Sequence, residues 1–195
     1  MRDLTMPAPI KALFLDRDGV VNVDHGYVSR QEDFVFRDDI LDFCKSAQAL
    51  GYKLFIITNQ SGISRGYYSE EDYHLLTDWM LGEFAKYGIR IEQVYYCPYH
   101  DCALQGDPNK EHKLFFRKPN PGMLLQAKDE HGIDMADSLM VGDQEKDMEA
   151  AYAAGVGRKI LLTEDRTLPK TRADTIVSRL SRDLLSLPTL KSVRS

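Results

Sequence analysis

The sequence predicts an α/β fold in which a doubly wound parallel sheet forms the middle of three layers, with helices on both faces. Three observations predict it. Short apolar segments of strand length alternate along the chain with segments whose apolar residues recur at helical spacing. Reactive side chains follow four of the predicted strands, and ligands bind at the carboxyl ends of such strands. The 195 residues contain no internal repeat or linker, so we expect one domain over 1–195 with its core at about 11–188.

The first half of the chain alternates strands and helices. Gly51 closes a segment with helical apolar period, and Ser69 with Asp72 forms a capping box before the next helix, which ends near Gly88. The predicted elements are a strand over 13–15, a loop or small flap over 22–37, a helix over 40–50, a strand over 53–57, a helix from 69 to about 88 and a strand over 91–96.

The second half continues the alternation after an irregular loop. Pro121 suits the first turn of a helix that Gly132 follows, and Gly155 ends the helix after it. The predicted elements are a loop over 97–117, a helix over about 121–131, a strand over 139–141, a helix over 145–154, a strand over 159–163, and an edge strand and short helix within 176–187. Residues 191–195 are expected to fray.

Composition argues against several classes of protein. The chain is 43% hydrophobic and 28% charged with a formal net charge of −5, and its charges are interspersed, which argues against a nucleic-acid or anionic-membrane surface. We see no signal segment and no run of membrane-spanning length, and three cysteines do not make a disulfide framework. We therefore expect a monomeric, cytoplasmic protein with no nucleic-acid or membrane partner.

Two aspartates directly after the first predicted strand carry the main chemical signal. Asp16 and Asp18 are spaced i, i+2, which places both carboxylates on the same side of an extended segment. Two acids that converge repel one another and favour a bound cation. The pair therefore indicates a Mg²⁺ site that includes a nucleophilic carboxylate, although an Asp-x-Asp pattern alone also occurs by chance as two solvated acids.

Three further loops carry reactive groups in an informative order. Residues 58–62 (Thr-Asn-Gln-Ser-Gly) combine a hydroxyl and amides with backbone N–H groups that suit a phosphoryl group. Arg117 and Lys118 are adjacent cations before a predicted helix, and Asp143 follows the strand over 139–141. None of these loops alone indicates a particular chemistry. Their order along the chain, each at the carboxyl end of a predicted strand, is much more informative.

This order resembles the haloacid dehalogenase superfamily of aspartate-dependent phosphohydrolases, whose core is Rossmann-like. Within it, the chain is similar to the D-glycero-D-manno-heptose 1,7-bisphosphate phosphatases, which are related to the histidinol-phosphate phosphatases. The resemblance covers about residues 11–188, and the segment at 24–27 favours the heptose branch. The segments that carry it are 16–20 (DRDGV), 23–28 (VDHGYV), 58–66 (TNQSGISRG), 117–124 (RKPNPGML) and 140–143 (MVGD).

The resemblance implies a role for each catalytic position. Asp16 would attack phosphorus and form an aspartyl-phosphate, and Asp18 would act as general acid and then as general base. Thr58 and Lys118 would stabilise the transition-state charge. Mg²⁺ would be held by the Asp16 carboxylate, the Asp18 backbone carbonyl and Asp143.

Substrate contacts are expected from the same loops. Arg117 is placed to bind a second, non-reacting phosphate bidentately. The other expected substrate-binding residues are Asp24, His25, Gly26, Tyr27, Asn59, Gln60, Ser61 and Gln144. Two of these assignments have alternatives, because residues 24–27 also fit a simple turn and Gln144 also fits a solvated helix start. Asp147 either caps its helix or orients Lys118.

The loop over 97–117 departs from the family. Many members of this branch hold a structural zinc ion there with a Cys-x-His pair and a later Cys-x-Cys pair. Cys97 is kept, but Tyr99, Leu114 and Phe116 stand at the other three ligand positions. We therefore expect no structural Zn²⁺ and a loop held by packing of residues 114–116. The alternative is a regrouped site, whose ligands would be Cys97, His100, Cys102 and His112.

The sequence thus predicts a Mg²⁺-dependent phosphatase. The resemblance implies that it removes the C7 phosphate of heptose 1,7-bisphosphate, in the synthesis of nucleotide-activated heptose for lipopolysaccharide. About 40 residues separate the first two motifs, too few for a large cap domain, so a small soluble substrate is expected. The alternatives are another small phosphatase such as one for histidinol phosphate, a receiver-like phosphoacceptor module, and a degenerate binding protein.

Overall fold

The computed structural model describes residues 10–165 and 170–186, and its strands form one sheet. The strand order is β3-β2-β1-β4-β5-β6, and every neighbouring pair is parallel. The elements are β1 (Ala12–Leu15), α1 (Ile40–Ala49), β2 (Lys53–Asn59), α2 (Glu70–Lys86), β3 (Ile91–Cys97), α3 (Lys110–Phe115), α4 (Gly122–His131), β4 (Leu139–Gly142), α5 (Glu145–Ala153), β5 (Arg158–Leu162) and β6 (Thr175–Val177), with 3₁₀ turns at Gln31–Asp33, Asp101–Leu104 and Arg182–Ser186. The predicted doubly wound parallel sheet is confirmed.

The first strand occupies the middle of the sheet because it is apolar on both faces. Successive side chains of a strand point to opposite faces. Leu13 and Leu15 pack into the core on one face, whereas Ala12 and Phe14 pack into the core on the other. All four are fully buried, so β1 is covered by helices on both sides. This central position brings the residue after β1 to the crevice between β2 and β4.

Strand order reverses at β1, which pairs with β2 on one side and β4 on the other. In an open parallel sheet, the crevice at such a reversal is where ligands bind. The loops after β1, β2 and β4 therefore meet at one edge of the sheet.

Helix boundaries follow the sequence signals closely. Ser69 and Asp72 form the predicted capping box at the start of α2, with the Ser69 hydroxyl accepting from the Asp72 amide at 3.0 Å. Gly132, in the left-handed region at φ +64°, ends α4 where a residue with a Cβ would be strained. β2 extends to Asn59, two residues past its predicted end, because Asn59 pairs with Cys97 of β3.

The loop over 97–117 is less irregular than predicted. It contains the 3₁₀ turn at Asp101–Leu104 and the six-residue helix α3. The ammonium group of Lys113 lies 2.6 Å from the Asp107 carboxylate, which ties α3 to the turn before it. So short a helix has no apolar period to find in the sequence.

Some predicted features fall outside the described residues. These are the frayed end at 191–195, the limit of the core at 188 and the last residue of the segment 176–187. Within that segment, the predicted edge strand is present as β6, and a 3₁₀ turn takes the place of the short helix. Among the residues described, none of the helices has the length and apolar character needed to cross a membrane.

Candidate active site

The predicted catalytic side chains converge at the carboxyl edge of the sheet. Asp16 follows β1, Thr58 lies near the end of β2, and Asp143 follows β4. Lys118 is carried by the loop between α3 and α4, and its backbone exchanges two hydrogen bonds with the side chain of Asn59, each of 3.0 Å. The side-chain amide of Asn59, a predicted substrate-binding residue, therefore holds the Lys118 backbone in place.

Lys118 is the electrostatic centre of the site. Its ammonium group lies 2.9 Å from Asp16 Oδ1 and 2.7 Å from Asp147 Oδ1, and it donates to the Ile57 carbonyl at 2.7 Å. The side chain is about 1% exposed. Burial lowers the pKa of Lys118, but the charges of Asp147 and Asp16 outweigh burial and raise that pKa above its ordinary value. Lys118 is therefore a fixed cation beside the predicted nucleophile.

Asp147 performs both of the roles that the sequence left open. Its Oδ1 lies against the Lys118 ammonium group, and its Oδ2 accepts from the backbone N–H of Gln144 at 3.0 Å, which caps α5. The side chain is fully buried. A carboxylate has two oxygens that accept in different directions, so helix capping and lysine orientation are compatible.

Three carboxylates form a cluster, and two of them pair with the Lys118 ammonium group. Oxygens of Asp16, Asp143 and Asp147 lie within 4.8 Å of one another. Burial raises the pKa of Asp16 well above its ordinary value against the opposing charge of Lys118, and Asp147 and Asp143 raise it further. Burial, followed by the charge of Asp147, also raises the pKa of Asp143 to about 6. The acids of this cluster thus outnumber the one lysine that pairs with them.

The cluster fits a hard divalent cation. Asp143 Oδ1 is buried and accepts no hydrogen bond. A Cβ on Gly19, at φ +88°, would lie 2.6 Å from Asp143 Cγ, so only glycine lets this carboxylate pack against the first loop. Orphaned carboxylate oxygens that converge are the donors that Mg²⁺ prefers. Asp16 and Asp143 are the predicted metal ligands that the structure brings together.

The Asp18 carboxylate is not part of this cluster and is held by a buried arginine. The Arg17 guanidinium donates to the Asp18 carboxylate at 2.9 and 3.2 Å and to the Val28 carbonyl at 2.7 Å. Asn22 donates to the same carboxylate at 3.1 Å. Arg17 is 1% exposed, and its contact with Val28 ties the segment after β1 to the site. The sequence analysis did not predict that Arg17 holds Asp18. The available signal was an arginine that stands between two aspartates at the end of a strand.

The amide of Gln60 links two of the predicted catalytic residues. It donates to the Asp18 carboxylate at 3.1 Å and to the Thr58 hydroxyl at 2.8 Å, and its carbonyl accepts from the Tyr68 hydroxyl at 2.7 Å. Burial is the main cause that raises the pKa of Tyr68 to about 12, so the phenol keeps its proton at neutral pH. Gln60, predicted to bind substrate, thus has protein partners for both ends of its amide. Tyr68 was missed because nothing in its sequence neighbourhood marks it.

A cavity of about 250 Å³ opens over these groups. Asp24 lines it and also accepts from the Gly26 amide at 2.8 Å, so the turn at this segment leaves Asp24 at the cavity. Lys146 lines the cavity and was not predicted. The predicted residues that line the cavity are Asp16, Asp18, Asp24, Gly26, Tyr27, Asn59, Gln60, Ser61 and Gln144.

Three further predicted substrate-binding residues differ in their position and contacts: Tyr27, His25 and Arg117. Tyr27 adopts φ +54°, which is rare for a residue with a Cβ, and its ring contacts that of Tyr67 at 4.5 Å. His25 is exposed and lies outside the cavity lining. Arg117 is partly buried and donates to the Tyr99 carbonyl at 3.0 Å. Burial lowers the pKa of the Arg117 guanidinium.

Aromatic side chains pack into the loop over 97–117, for which the sequence predicts no structural zinc. Tyr99 and Phe116, at two of the replaced ligand positions, pack against the buried core that includes Cys97. Phe115, expected to pack with them, is instead 42% exposed, and its ring contacts that of Phe116 edge to face. The four residues of the alternative zinc site have separate surroundings. Cys97 is buried near the Lys113 carbonyl, and the His112 ring packs on Phe116. His100 Nδ1 lies 2.9 Å from Cys102 Sγ. In the ranges 10–165 and 170–186, the side chains that lie close enough together to hold a metal ion in a group of three or more are those of Asp16, Asp143 and Asp147.

Comparisons with known proteins agree on a family. A HAD-hydrolase-like family model matches residues 115–182. The chain is 47% identical to a D-glycero-alpha-D-manno-heptose-1,7-bisphosphate 7-phosphatase of Burkholderia mallei, over 90% of this chain and 92% of that protein. It is 51% identical to a D-glycero-beta-D-manno-heptose-1,7-bisphosphate 7-phosphatase of Vibrio cholerae, over 77% and 80%. A solved structure, D,D-heptose 1,7-bisphosphate phosphatase from B. bronchiseptica complexed with magnesium and phosphate, is 28% identical with a TM-score of 0.68, covering 78% of this chain and 80% of that one.

Proposed function

Because the chain belongs to the heptose 1,7-bisphosphate 7-phosphatase family of HAD-like hydrolases, we propose that it removes the C7 phosphate of D-glycero-D-manno-heptose 1,7-bisphosphate. The product would be the 1-phosphate, the form needed for nucleotide activation of the sugar. One observation carries the catalytic part of the proposal. Asp16, directly after β1, shares the buried ammonium group of Lys118 with Asp147 and faces the oxygens of Asp143.

Asp16 would be the nucleophile of a two-step reaction. Its carboxylate oxygen forms a bond to phosphorus while the bond between phosphorus and the sugar oxygen breaks. The leaving oxygen takes a proton from Asp18. In the second step, a water attacks the aspartyl-phosphate, gives its proton to Asp18 and releases inorganic phosphate, which restores Asp16.

The surrounding groups would lower the barrier by charge. Lys118 lies against the attacking carboxylate, and Thr58 offers its hydroxyl to the phosphoryl oxygens once a substrate is bound. Mg²⁺ held by Asp16 and Asp143, with the Asp18 backbone carbonyl, would supply positive charge against the repulsion between a carboxylate and a phosphate. Loss of one such contact is typically worth about 10²–10³ in rate.

Asp18 must change its partners during this reaction. Arg17, Asn22 and Gln60 all donate hydrogen bonds to its carboxylate in the structure. A general acid must carry a proton, so we propose that substrate binding releases part of this network. Arg17 also binds the Val28 carbonyl, so movement of the segment at 24–28 and release of Asp18 would be linked.

The sugar would lie between that segment and the loops after β2 and β4. Tyr27, Ser61 and Gln144, which belong to three different loops, line the cavity. Arg117 would bind the non-reacting phosphate. Relatives named for the α anomer and the β anomer have similar identity to this chain, so overall identity does not select the anomer. We further propose a monomer that acts in the cytoplasm without a structural zinc ion.

Phosphate release tests the proposal. The assay compares α- and β-heptose 1,7-bisphosphate with histidinol phosphate, each with Mg²⁺ or with EDTA. We expect rapid release from a heptose bisphosphate with Mg²⁺, little from histidinol phosphate, and none with EDTA. Faster release from histidinol phosphate would reject the sugar, and no release from any of the three would reject the activity. Elemental analysis of the same sample checks zinc, and a stoichiometric amount would contradict its expected absence.

A further inference from the structure

One buried amide connects the predicted acid to the predicted phosphate-binding hydroxyl. The Gln60 side chain is 1% exposed, and its backbone N–H donates to the Cys97 carbonyl at 2.8 Å, which anchors the residue beyond β2. Its Nε2 group donates one hydrogen to Asp18 Oδ2 and the other to Thr58 Oγ1. Both hydrogens of the amide are therefore used to hold catalytic side chains.

The direction of that amide is set at its other end by Tyr68. The Tyr68 hydroxyl donates to Gln60 Oε1 at 2.7 Å, a short and well-formed hydrogen bond. A half turn of the amide would face its carbonyl oxygen toward the Asp18 carboxylate, which is an acceptor as well. The orientation seen is the one in which each donor meets an acceptor.

A glycine makes room for the tyrosine that does this. A Cβ on Gly62 would lie 2.6 Å from Cζ of Tyr68 and 2.8 Å from its hydroxyl oxygen. The ring therefore lies against a bare backbone, and the hydroxyl reaches Gln60 only because position 62 has no side chain. The neighbouring Tyr67 is exposed and turns toward Tyr27, so the two tyrosines have different surroundings.

We infer that Tyr68 is a positioning residue that acts through Gln60 to fix the directions of the Asp18 carboxylate and the Thr58 hydroxyl. This inference rests on the proposed roles of Asp18 and Thr58. Tyr68 lines the cavity, but its hydroxyl is used by a protein group. Its loss should therefore lower the rate of the chemical step more than it weakens substrate binding.

The test removes the Tyr68 hydroxyl and compares two leaving groups. In Tyr68→Phe the ring still lies on Gly62, and Tyr67→Phe is the matched control. An alkyl phosphate such as the heptose bisphosphate needs a proton on its leaving oxygen, whereas p-nitrophenyl phosphate does not. For Tyr68→Phe we expect kcat/KM for the alkyl substrate to fall about tenfold, the change expected for one buried hydrogen bond, with KM within about twofold. The fall for p-nitrophenyl phosphate should be smaller, and Tyr67→Phe should match the wild type.

A double variant separates action through Gln60 from direct contact. If Tyr68 acts through Gln60, Tyr68→Phe should cause no further loss in a Gln60→Leu background. Thermal melting of each variant confirms folding before the rates are compared. Equal losses for both leaving groups, losses that multiply in the double variant, or an unaffected Tyr68→Phe enzyme would each overturn the inference. These outcomes differ from failure of the proposed function, in which the wild type itself releases no phosphate.

Discussion

Replacement of Asp16 by asparagine should abolish turnover and yet make the metal-free protein more stable. Oxygens of Asp16, Asp143 and Asp147 lie within 4.8 Å of one another, and the ammonium group of Lys118 pairs with Asp16 and Asp147. The side chain of Asp16 is buried, so the repulsion among these acids is weakly screened. An asparagine side chain would keep the shape of the aspartate and an acceptor for Lys118 while removing one negative charge.

The magnitude follows from the distances. Carboxylate oxygens within 4.8 Å of one another repel by about 3.5 kcal/mol or more at an effective dielectric constant of about 20, so Asp143 and Asp147 together oppose the Asp16 charge by about 7 kcal/mol or more. Lys118 at 2.9 Å attracts it by about 6 kcal/mol on the same scale. Burial adds a desolvation cost. We therefore expect Asp16→Asn to raise the free energy of unfolding by about 1–3 kcal/mol, or the melting temperature by about 2–10 °C.

The assay is thermal melting in EDTA beside phosphate release in Mg²⁺. The folded-state pKa of Asp16 is raised, so the wild type loses stability as the pH rises above about 4, the ordinary pKa of the unfolded chain. The gain in Asp16→Asn should accordingly be larger at pH 7 than at pH 5. The matched control is Asp78→Asn, at an exposed position in α2, which should change neither property. A metal-free Asp16→Asn protein that melts below the wild type would show that repulsion among these acids does not destabilise the fold. Near-native activity would show that Asp16 is not the nucleophile.

Three other perturbations test the same cluster. Lys118→Met leaves Asp16 and Asp147 without their shared cation, so the free energy of unfolding should fall by about 3–5 kcal/mol in urea titrations and turnover by about 10²–10³; native-like values would contradict this. Gly19→Ala displaces the Asp143 carboxylate, so calorimetry should show Mg²⁺ affinity lower by about tenfold or more, and unchanged affinity would remove Asp143 from the metal site. Since burial raises the pKa of Asp143 to about 6 and a ligand must be deprotonated, Mg²⁺ affinity should weaken as the pH falls through 6, and a flat profile from pH 5 to 8 would falsify that link.

The strands and main helices were predictable because their signals are local. A run that is apolar on both faces, as in β1, and a capping box at Ser69 each specify one structure over a few residues. The helix α3 and the final residues of β2 were not predictable. Pairing between Asn59 and Cys97 extends β2, and that contact joins residues far apart in the chain.

The site divides in the same way. Asp16, Lys118 and Asp143 follow strands or precede a helix in motif order, so the topology alone brings them to one edge. Asn59 and Gln60 stand in a motif loop, and their amides hold the Lys118 backbone and the Asp18 carboxylate. These contacts join residues far apart in the chain, so the sequence alone does not predict them.

Arg17 and Tyr68 were missed for physical reasons. Arg17 buries a long charged side chain, which composition rules place at the surface, because the Asp18 carboxylate and the Val28 carbonyl satisfy it. Tyr68 reaches the site only through the space left by Gly62. A single sequence shows neither the partner nor the space.

Direct detection of a phosphorylated Asp16 tests the central claim. The Asp18→Asn variant lacks the group that activates water, so mixing it with p-nitrophenyl phosphate and Mg²⁺ should accumulate the intermediate, and acid quenching should preserve it for peptide mass spectrometry. We expect the mass of one phosphoryl group on the peptide that contains Asp16, and its loss in Asp16→Asn. Release of p-nitrophenol with no adduct on Asp16, or with the adduct on another residue, would contradict covalent catalysis at this position.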